Sequence, residues 1–566
     1  MDIKQINAEM SVSEQISIND LDQLAQHGIK SIICNRPNHE IESEHTTIEL
    51  EKHADELGIE LHYLPVDHAT INADDVRAFE AAYMSTPKPV HGYCRSGLRA
   101  MTLWSLMQIK SGVNVDTAIA TAQQAGYDFS KFKEKFSTVL QSFEVTTTIT
   151  TMKHAYELVI VGAGTAGISL ASSLLARKKD LKIAVIDPAN EHYYQPGFTM
   201  VGGGVFSPEQ TCRTMESVIP KSVSWIKSSV TEFSPENNYV VLDNGTQVTY
   251  DRLAVCPGLK LNWIGIEGLI ETLGKNGVTS NYHPDHAAYT WKLVKNMGSG
   301  KAIFTQPPMP IKCAGAPQKA MYLSSDHWFK NGTINNINIE FYNSGSVLFG
   351  IDAYVPALQS YVDKYQAKLF FSHKLVKIDG ANKTAWFEIS DKEGGTTQLE
   401  TTFDMIHVCP PQIAPDCIRN STLVDEAGWV DVDQFTLRHK TYANIWSLGD
   451  VINAPNAKTM AAARKQAPIV ACNIIADIEG KDQSDTFAYD GYGSCPLTVE
   501  RGKVVLAEFT YGGKLLPTFP RWLIDGTKPS YLAWLLKEWL LPKIYWDGML
   551  KGREWLVKPK NKVTPK

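Results

Sequence analysis

Apolar positions along this chain alternate between two periods, and the alternation itself predicts the elements. The stretch from Ile16 to Gly28 is amphipathic at helical spacing, with a serine or asparagine available to cap it. Ser31 to Cys34 is a short apolar run that fits a buried strand, and Ala73 to Met84 returns to the helical period. Pro89 to Cys94 fits a strand that gives way to a helix over Ala100 to Ile109. The same order recurs further on. The apolar run ELVIV ends in Gly162 and leads into a helix, and Ala302 to Thr305 is a strand followed by a helix over Gly315 to Tyr322. Ile445 to Leu448 is again a strand. Strands alternating with helices predict an α/β fold.

Composition narrows the class. A chain of 566 residues is expected to form three or four globular units. At 43% hydrophobic and 20% charged residues it has the make-up of an ordinary soluble protein. The net charge of −6 hides an asymmetry. Residues 501–566 hold 13 Lys and Arg against 5 Asp and Glu, a local +8, which leaves −14 on the remainder. Five of the 13 tryptophans lie in that tail. The first ten residues, MDIKQINAEM, lack the basic and apolar regions of a signal peptide, and no run of 18 apolar residues suggests a spanning helix. The nine cysteines include no C-x-x-C pair, which argues against a zinc site, gives no metal ligand set, and favours a reduced, cytosolic setting. A Thr-rich joint, Val145 to Ala155, is the best linker candidate.

The glycines Gly162, Gly164 and Gly167 sit at the turn between a strand and a helix, and Asp187 ends the next strand 20 residues after Gly167. Glycines at this spacing let a pyrophosphate approach the helix N-terminus, and the acid is placed for a ribose hydroxyl. A second such unit begins at Ala302, but its glycine turn is missing. Pro307, Pro308 and Pro310 follow the strand, and then Cys313. The second unit is therefore expected to have lost its nicotinamide pocket and to present a thiol there.

The N-terminal region carries its own motif. Cys94 falls between a strand and a helix, in the loop CRSGLR. Backbone N–H groups, the helix dipole, Arg95 and Arg99 favour a thiolate at such a position, and the same cradle binds oxyanions. The loop is C-x4-R, one residue shorter than the C-x5-R loop of tyrosine phosphatases, and Tyr93 stands where a phosphatase usually has His. It resembles the loop of rhodanese sulfurtransferases, which hold a persulfide. The module as a whole resembles the phosphatase-like sulfurtransferase domain of the beta-lactamase-hydrolase-like family. That resemblance implies function at Cys94, Arg95, Ser96, Gly97 and Arg99. A persulfide carrier, a phosphatase and a buried structural cysteine stay open. Cys34 is expected in the core.

Two further segments bear on the central region: IWSLGD, ending in Gly449 and Asp450, and DRLAVCPG, ending in Gly258. Together with Gly162 to Gly167 they resemble the glutathione-reductase-like flavoproteins, which implies FAD, with Asp450 on its ribityl chain. His192 to Thr199, Ile311 to Lys319 and Tyr489 to Leu497 resemble the sulfide:quinone oxidoreductases over Tyr156 to Trp555. The resemblance implies that Cys313 lies beside the flavin, carries sulfur and passes electrons to it, with Lys312 and a following helix lowering its pKa. It also implies a second redox cysteine directly after the Gly-Asp pair, and here that residue is Val451. Cys409 and Cys417, upstream in HVCPPQIAPDC, are candidate replacements. A persulfide on Cys94 exchanging sulfur with Cys313 is another.

The tail, Ser530 to Trp555, combines aromatic and apolar residues with lysines at helical spacing, and Pro542 is expected to split it into two helices. Its charge and aromatic residues suit a membrane interface. Packing on the protein's own core, or a homo-oligomer interface, is the alternative. Phe519, Trp522, Trp534 and Tyr545 are candidate quinone contacts. The aromatic residues fall on apolar helical faces, not among Arg clusters, which argues against nucleic acid.

The expected fold is α/β: a phosphatase-like domain, two Rossmann-like dinucleotide-binding domains of the glutathione-reductase-like type, and a C-terminal amphipathic helical tail. The boundaries are 1–143 for the phosphatase-like sulfurtransferase domain, 144–154 for the linker, 155–290 for the first part of the FAD-binding domain and 291–403 for the degenerate NAD-like, sulfide-site domain. Residues 404–484 form the second part of the FAD-binding domain, and 485–566 the quinone- and membrane-docking region. The implied activity is FAD-dependent sulfide oxidation with quinone as electron acceptor and a thiol or a thiosulfate-forming compound as sulfur acceptor, at the inner face of the cell membrane. An NAD(P)H-dependent disulfide or persulfide reductase, a non-catalytic sulfide sensor and an N-terminal protein tyrosine phosphatase are the alternatives.

Overall fold

A computed structural model describes residues 2–37, 40, 47–67, 71–129, 132, 136, 151–390, 395–482, 486–560 and 562. The chain divides into two compact units, Met1–Thr150 and Thr151–Lys566. The expected linker, 144–154, is shorter than its composition suggested. Residues 144–150 lie outside the described ones, and from Thr151 the backbone is already a strand, paired at Thr151 and Met152 with Gln247 and Val248. Threonines suit an extended, paired backbone as well as a joint.

The first unit is a five-stranded sheet of β1 (Lys4–Gln5), β2 (Met10–Ser13), β3 (Ser31–Cys34), β4 (Glu60–Tyr63) and β5 (Val90–Tyr93), in the order β1-β2-β5-β3-β4. Only β1 runs antiparallel to its neighbour. β5 is central and buried along its whole length, as a parallel strand covered on both faces must be. Leu103 and Trp104 of α1 (Leu98–Lys110) pack with Phe79 and Val90 in one apolar cluster, while Leu21, Ile32, Cys34 and Leu50 form another.

Two sheets of the second unit position the site, one mixed with a parallel centre and one parallel. In the first, β6 (Thr151–Val161) lies between β7 (Ile183–Ile186) and β8 (Gln247–Val255), and all three are parallel. The top of β8 also pairs with Ile445–Ser447, so the two chain segments of the FAD-binding part meet in one sheet. In the second sheet, β9 (Gly300–Gln306) is flanked by β10 (Ile337–Asn343) and by Met405–His407, again parallel. Two helices matter for the site. α2 (Thr165–Arg177) follows β6, and α3 (Ala316–Lys330) follows β9. An antiparallel hairpin, β11 (Gly493–Glu500) with β12 (Lys503–Phe509), then packs beside α3.

The tail departs from expectation. Tyr531 to Lys551 is one helical run in which α-, π- and 3₁₀-type turns follow one another, and Pro542 does not split it. The wider π turns on either side, Leu536–Leu540 and Ile544–Gly548, relieve the clash and the missing N–H that a proline brings to a regular helix. Among the described residues no helix is long and apolar enough to cross a membrane.

Candidate functional site

The glycine turn after β6 is built for close approach. Gly162 has φ +97, and a Cβ there would sit 2.4 Å from the Cys256 carbonyl oxygen. A Cβ on Gly167 would sit 1.9 Å from the Gly162 carbonyl oxygen, so only glycine lets α2 start this near the strand. At Gly164 and Gly258 the corresponding positions are open space. Asp187 accepts from the N–H of Ala163 at 2.7 Å and from that of Ala189 at 2.8 Å, which braces the turn and leaves lone pairs for a further donor.

Gly164, Gly258, Gly449 and Asp450 line a single cleft with Cys313 and Lys319. Its empty volume is about 1830 Å³, counting the solvent in its open mouth. Gly449, at φ +86, donates its N–H to Gln466 Oε1 at 2.8 Å. Burial pushes the Asp450 carboxyl up, while Lys312 and Lys458 pull it back down. Burial lowers Lys458 to about 8, and its Nζ donates to the Asp450 carbonyl oxygen at 2.7 Å. These residues fit FAD: a glycine turn at a helix N-terminus for the pyrophosphate, open backbone at Gly258, and a half-buried acid at Asp450 for the ribityl hydroxyls.

Cys313 follows β9, just ahead of α3, with φ +50, a left-handed backbone uncommon for a non-glycine residue. Its N–H donates to the Lys458 carbonyl at 2.8 Å. Lys319, six residues on in α3, reaches back so that Nζ lies 3.1 Å from the Cys313 sulfur. The expected partner, Lys312, is adjacent in sequence and acts on Cys313 through charge alone. Its backbone N–H donates to Gln412 Oε1 at 2.6 Å, its carbonyl accepts from Tyr282 Oη at 3.0 Å, and Asp450 and then Cys313 favour its charged form against burial.

The thiol nearest Cys313 is Cys495, on β11, at 3.4 Å between sulfurs. Lys319 Nζ is also 4.0 Å from the Cys495 sulfur. The S–H contact from Cys495, together with Lys319, holds the Cys313 thiol well below the usual range despite its burial. Cys495 is correspondingly pushed well above. Sequence reasoning passed over Cys495. The signal available was the alternation along β11, which puts Cys495, Leu497 and Val499 in one apolar cluster with residues of α3.

The other cysteines are placed differently. Cys409 is buried beside Tyr282 and Ile311, packs in the same small cluster as Cys313, and has Gln412 Nε2 at 3.9 Å from its sulfur. Burial raises its pKa strongly. Cys417 is half-buried on the short helix Asp416–Arg419, against the core of the first sheet. Val451 is fully buried in that same core.

In the first unit Cys94 closes β5 and is buried. The backbone N–H of Arg99 points at its sulfur at 3.3 Å. The Arg99 guanidinium turns to Glu40, with Nη2 2.7 and 2.9 Å from the two carboxylate oxygens, and Arg95 is exposed. So the main chain of Arg99, not its side chain, meets the thiol. Gly97 has φ +78, and its α-carbon is overlaid by Tyr127, whose hydroxyl donates to the Ser96 carbonyl at 3.3 Å. His91, three residues before Cys94, is buried between Ser11 and Ser13 at 2.9 Å each, and burial lowers it to about 3, so it stays neutral.

The tail covers the cleft. Phe519, Leu536, Leu541 and Ile544 line it. Tyr545 Oη lies 2.8 Å from Thr165 Oγ1 and 2.6 Å from His192 Nε2, behind the glycine turn. Trp534 is buried and donates to Glu538 at 2.7 Å, whereas Trp522 is 85% and Trp539 67% exposed.

Comparison with known proteins agrees with this architecture. Residues 2–111 match the phosphatase-like domain of the beta-lactamase hydrolase-like proteins, and residues 156–305 match the pyridine nucleotide-disulphide oxidoreductases. The beta-lactamase hydrolase-like protein of Agrobacterium fabrum is 32% identical over 107 residues, 19% of this chain and 25% of that protein. The sulfide:quinone oxidoreductase of the hyperthermophile Aquifex aeolicus has the same fold over 71% of this chain and 92% of its own, with a TM-score of 0.59 at 21% identity. The mitochondrial sulfide:quinone oxidoreductase of Dictyostelium discoideum is 42% identical over 405 residues, 71% of this chain and 87% of that protein. From Thr151 onward, then, the chain belongs to the sulfide:quinone oxidoreductase family, with a phosphatase-like domain of the beta-lactamase hydrolase-like type fused ahead of it.

Proposed function

We propose that this protein oxidises sulfide at Cys313, passes the two electrons through FAD to a quinone, and handles the resulting sulfane sulfur with its N-terminal domain. The observation that carries the reading is the placing of one low-pKa thiol, Cys313, in the same cleft as the glycine turn and Asp450, with Lys319 at 3.1 Å. Bound FAD supplies a two-electron acceptor that can later reduce quinone. The chain supplies the rest. Lys319 keeps Cys313 ionised in a buried site, and a thiolate is the form that attacks or leaves a sulfur atom. The left-handed turn and the Lys458 carbonyl fix where that sulfur points. No glycine turn follows β9, where Pro307, Pro308 and Pro310 stand, so a nicotinamide donor has no phosphate cradle there.

Quinone enters where the tail roofs the cleft with Phe519, Leu536, Leu541 and Ile544. Trp522, Tyr531, Leu532, Trp539 and Leu540 are exposed near the same region, next to Arg521, Lys528 and Lys543. Aromatic residues interleaved with cations suit the interface of an anionic bilayer, in keeping with a peripheral protein on the inner face of the cell membrane. In the N-terminal domain Cys94 accepts sulfane sulfur, with the Arg99 N–H available to the bound sulfur. The final acceptor is a thiol or a thiosulfate-forming anion.

The test is sulfide-dependent reduction of a soluble short-chain quinone by the FAD-loaded protein. Wild type turns over, Cys313→Ser does not, and Cys94→Ala keeps quinone reduction while changing the sulfur product. Unchanged turnover in Cys313→Ser overturns the reading.

A further inference from the structure

We infer that Glu40 sets the specificity of the Cys94 loop: its carboxylate holds the Arg99 guanidinium and keeps phosphate and phosphate monoesters out of a cradle that otherwise has the parts to take them. This deepens the sulfur-carrier reading of Cys94 given above and rests on it.

The cradle itself is complete. Gly97, at φ +78, stands at the N-terminus of α1, a helix of 13 residues. The backbone N–H of Arg99 points at the Cys94 sulfur at 3.3 Å. Main-chain donors and the positive end of a helix, meeting at a thiol, form the kind of concavity that holds phosphate. Cations are at hand as well. The side chains of Arg36 and Arg99 are each only 14% exposed, and both face Glu40. Arg36 Nη1 donates to Gln15 Oε1 at 2.9 Å, and its Nη2 donates to the Glu40 carbonyl oxygen. Among the described residues, Arg36 Nε and Arg99 Nη1 are buried and meet no acceptor within hydrogen-bond distance. Guanidinium groups with spare N–H donors are what phosphate recognition uses, and buried donors left unpaired are costly.

What stands against phosphate is the Glu40 charge. Arg99 Nη2 donates to both Glu40 oxygens, at 2.7 and 2.9 Å, and Arg36 Nε lies 3.9 Å from one of them. Two guanidiniums and one carboxylate leave a single positive charge in a largely buried cluster. A thiolate or a persulfide on Cys94 carries one negative charge and brings the cluster to neutrality. A phosphate monoester adds about two more negative charges, which nothing in the cluster offsets. Arg95 does not, because it is exposed and its charge is screened. His91 does not, because it is buried between two serines and stays neutral. A persulfide sulfur, by contrast, needs no guanidinium, since the main chain of Arg99 already points at the Cys94 sulfur. Glu40 acts through Arg99 and through charge, so it is a positioning residue that decides which anion enters.

The test uses the full-length, FAD-loaded protein, in which the flavin pyrophosphate fills the other phosphate site. Inorganic phosphate and tungstate are titrated calorimetrically into wild type, Glu40→Asp, Glu40→Gln and Glu40→Ala at fixed ionic strength. Glu40→Gln keeps the shape and an acceptor for Arg99 and removes the charge, whereas Glu40→Asp keeps the charge. The expected result is binding at least about tenfold tighter in Glu40→Gln and in Glu40→Ala than in wild type and Glu40→Asp, lost again when Arg99→Met is added. A purely structural role for Glu40 predicts no such gain, and either charge-removing variant decides the matter alone. A smaller gain, or one that survives Arg99→Met, overturns the inference. The carrier reading fails by a different result: no added sulfur on the Cys94 peptide after sulfide turnover, read by mass spectrometry, defeats it whatever the ions do.

Discussion

Lys537, on the C-terminal helical run, donates from Nζ to the carbonyl oxygen of Pro496 at 2.9 Å, one residue beyond Cys495. The tail therefore does more than roof the cleft: it delivers a second amine to the thiol pair. Burial and the neighbouring Lys319 ammonium hold Lys537 well below the usual lysine range. Lys319 keeps its charge because Cys313 and Cys495 offset the burial that acts against it.

The two lysines rank in their effect on Cys313. Lys319 is the nearer cation and donates to the sulfur directly, whereas Lys537 acts only at longer range. The pH midpoint for iodoacetamide alkylation of Cys313 should rise in Lys319→Met and rise by less in Lys537→Met. The sign also fixes the stability dependence. The folded pKa of Cys313 lies below its unfolded value, so its contacts add stability that is complete above the ordinary thiol range. That stability is lost as the pH falls through the folded value. In Lys319→Met this acid-side loss should shrink in urea titrations run at a series of pH values.

Gly315→Ala tests the close approach of the hairpin. The added methyl meets Leu497 and the Cys495 sulfur well inside contact distance. Relief requires the hairpin to back away, at a cost of about 1–3 kcal/mol. The variant should bind FAD, melt several degrees lower and lose sulfide turnover.

The glycines of the dinucleotide turn separate folding from binding. Gly164 faces open space, so Gly164→Ala should fold with the melting temperature of the wild-type apoprotein and bind FAD at least about tenfold more weakly. Gly167→Ala places its methyl 1.9 Å from the Gly162 carbonyl and should lower stability before any cofactor is added. Thermal melts of apoprotein and FAD titration distinguish the two.

The exposed face of the tail tests membrane docking. Trp522→Glu with Trp539→Glu removes two large exposed apolar groups. Sedimentation with anionic vesicles should fall severalfold, and wild-type binding should weaken as salt is raised. Reduction of a soluble short-chain quinone should stay within about twofold of wild type.

What could be read from the sequence was local. Gly162, Gly164, Gly167 and Asp187 lie within one strand–turn–helix–strand unit, so their spacing alone carries the geometry. Cys94 before a helix is similarly local. The partner of Cys313 was not legible, because Cys495 is 182 residues away and only the packing of the hairpin on α3 brings them together. The nearer lysine was hidden for a related reason: Lys319 lies six residues on and reaches the Cys313 sulfur only because α3 turns it back. Pro542 misled because composition does not show that π turns would absorb it.

The central claim is that electrons enter from sulfide at Cys313 and not from a nicotinamide. The direct measurement is anaerobic stopped-flow of the FAD-loaded protein, following the flavin absorbance band after mixing with sulfide or, separately, with NADH. The expected result is bleaching by sulfide alone, abolished in Cys313→Ser. Bleaching by NADH, or sulfide bleaching that survives in Cys313→Ser, would contradict the account.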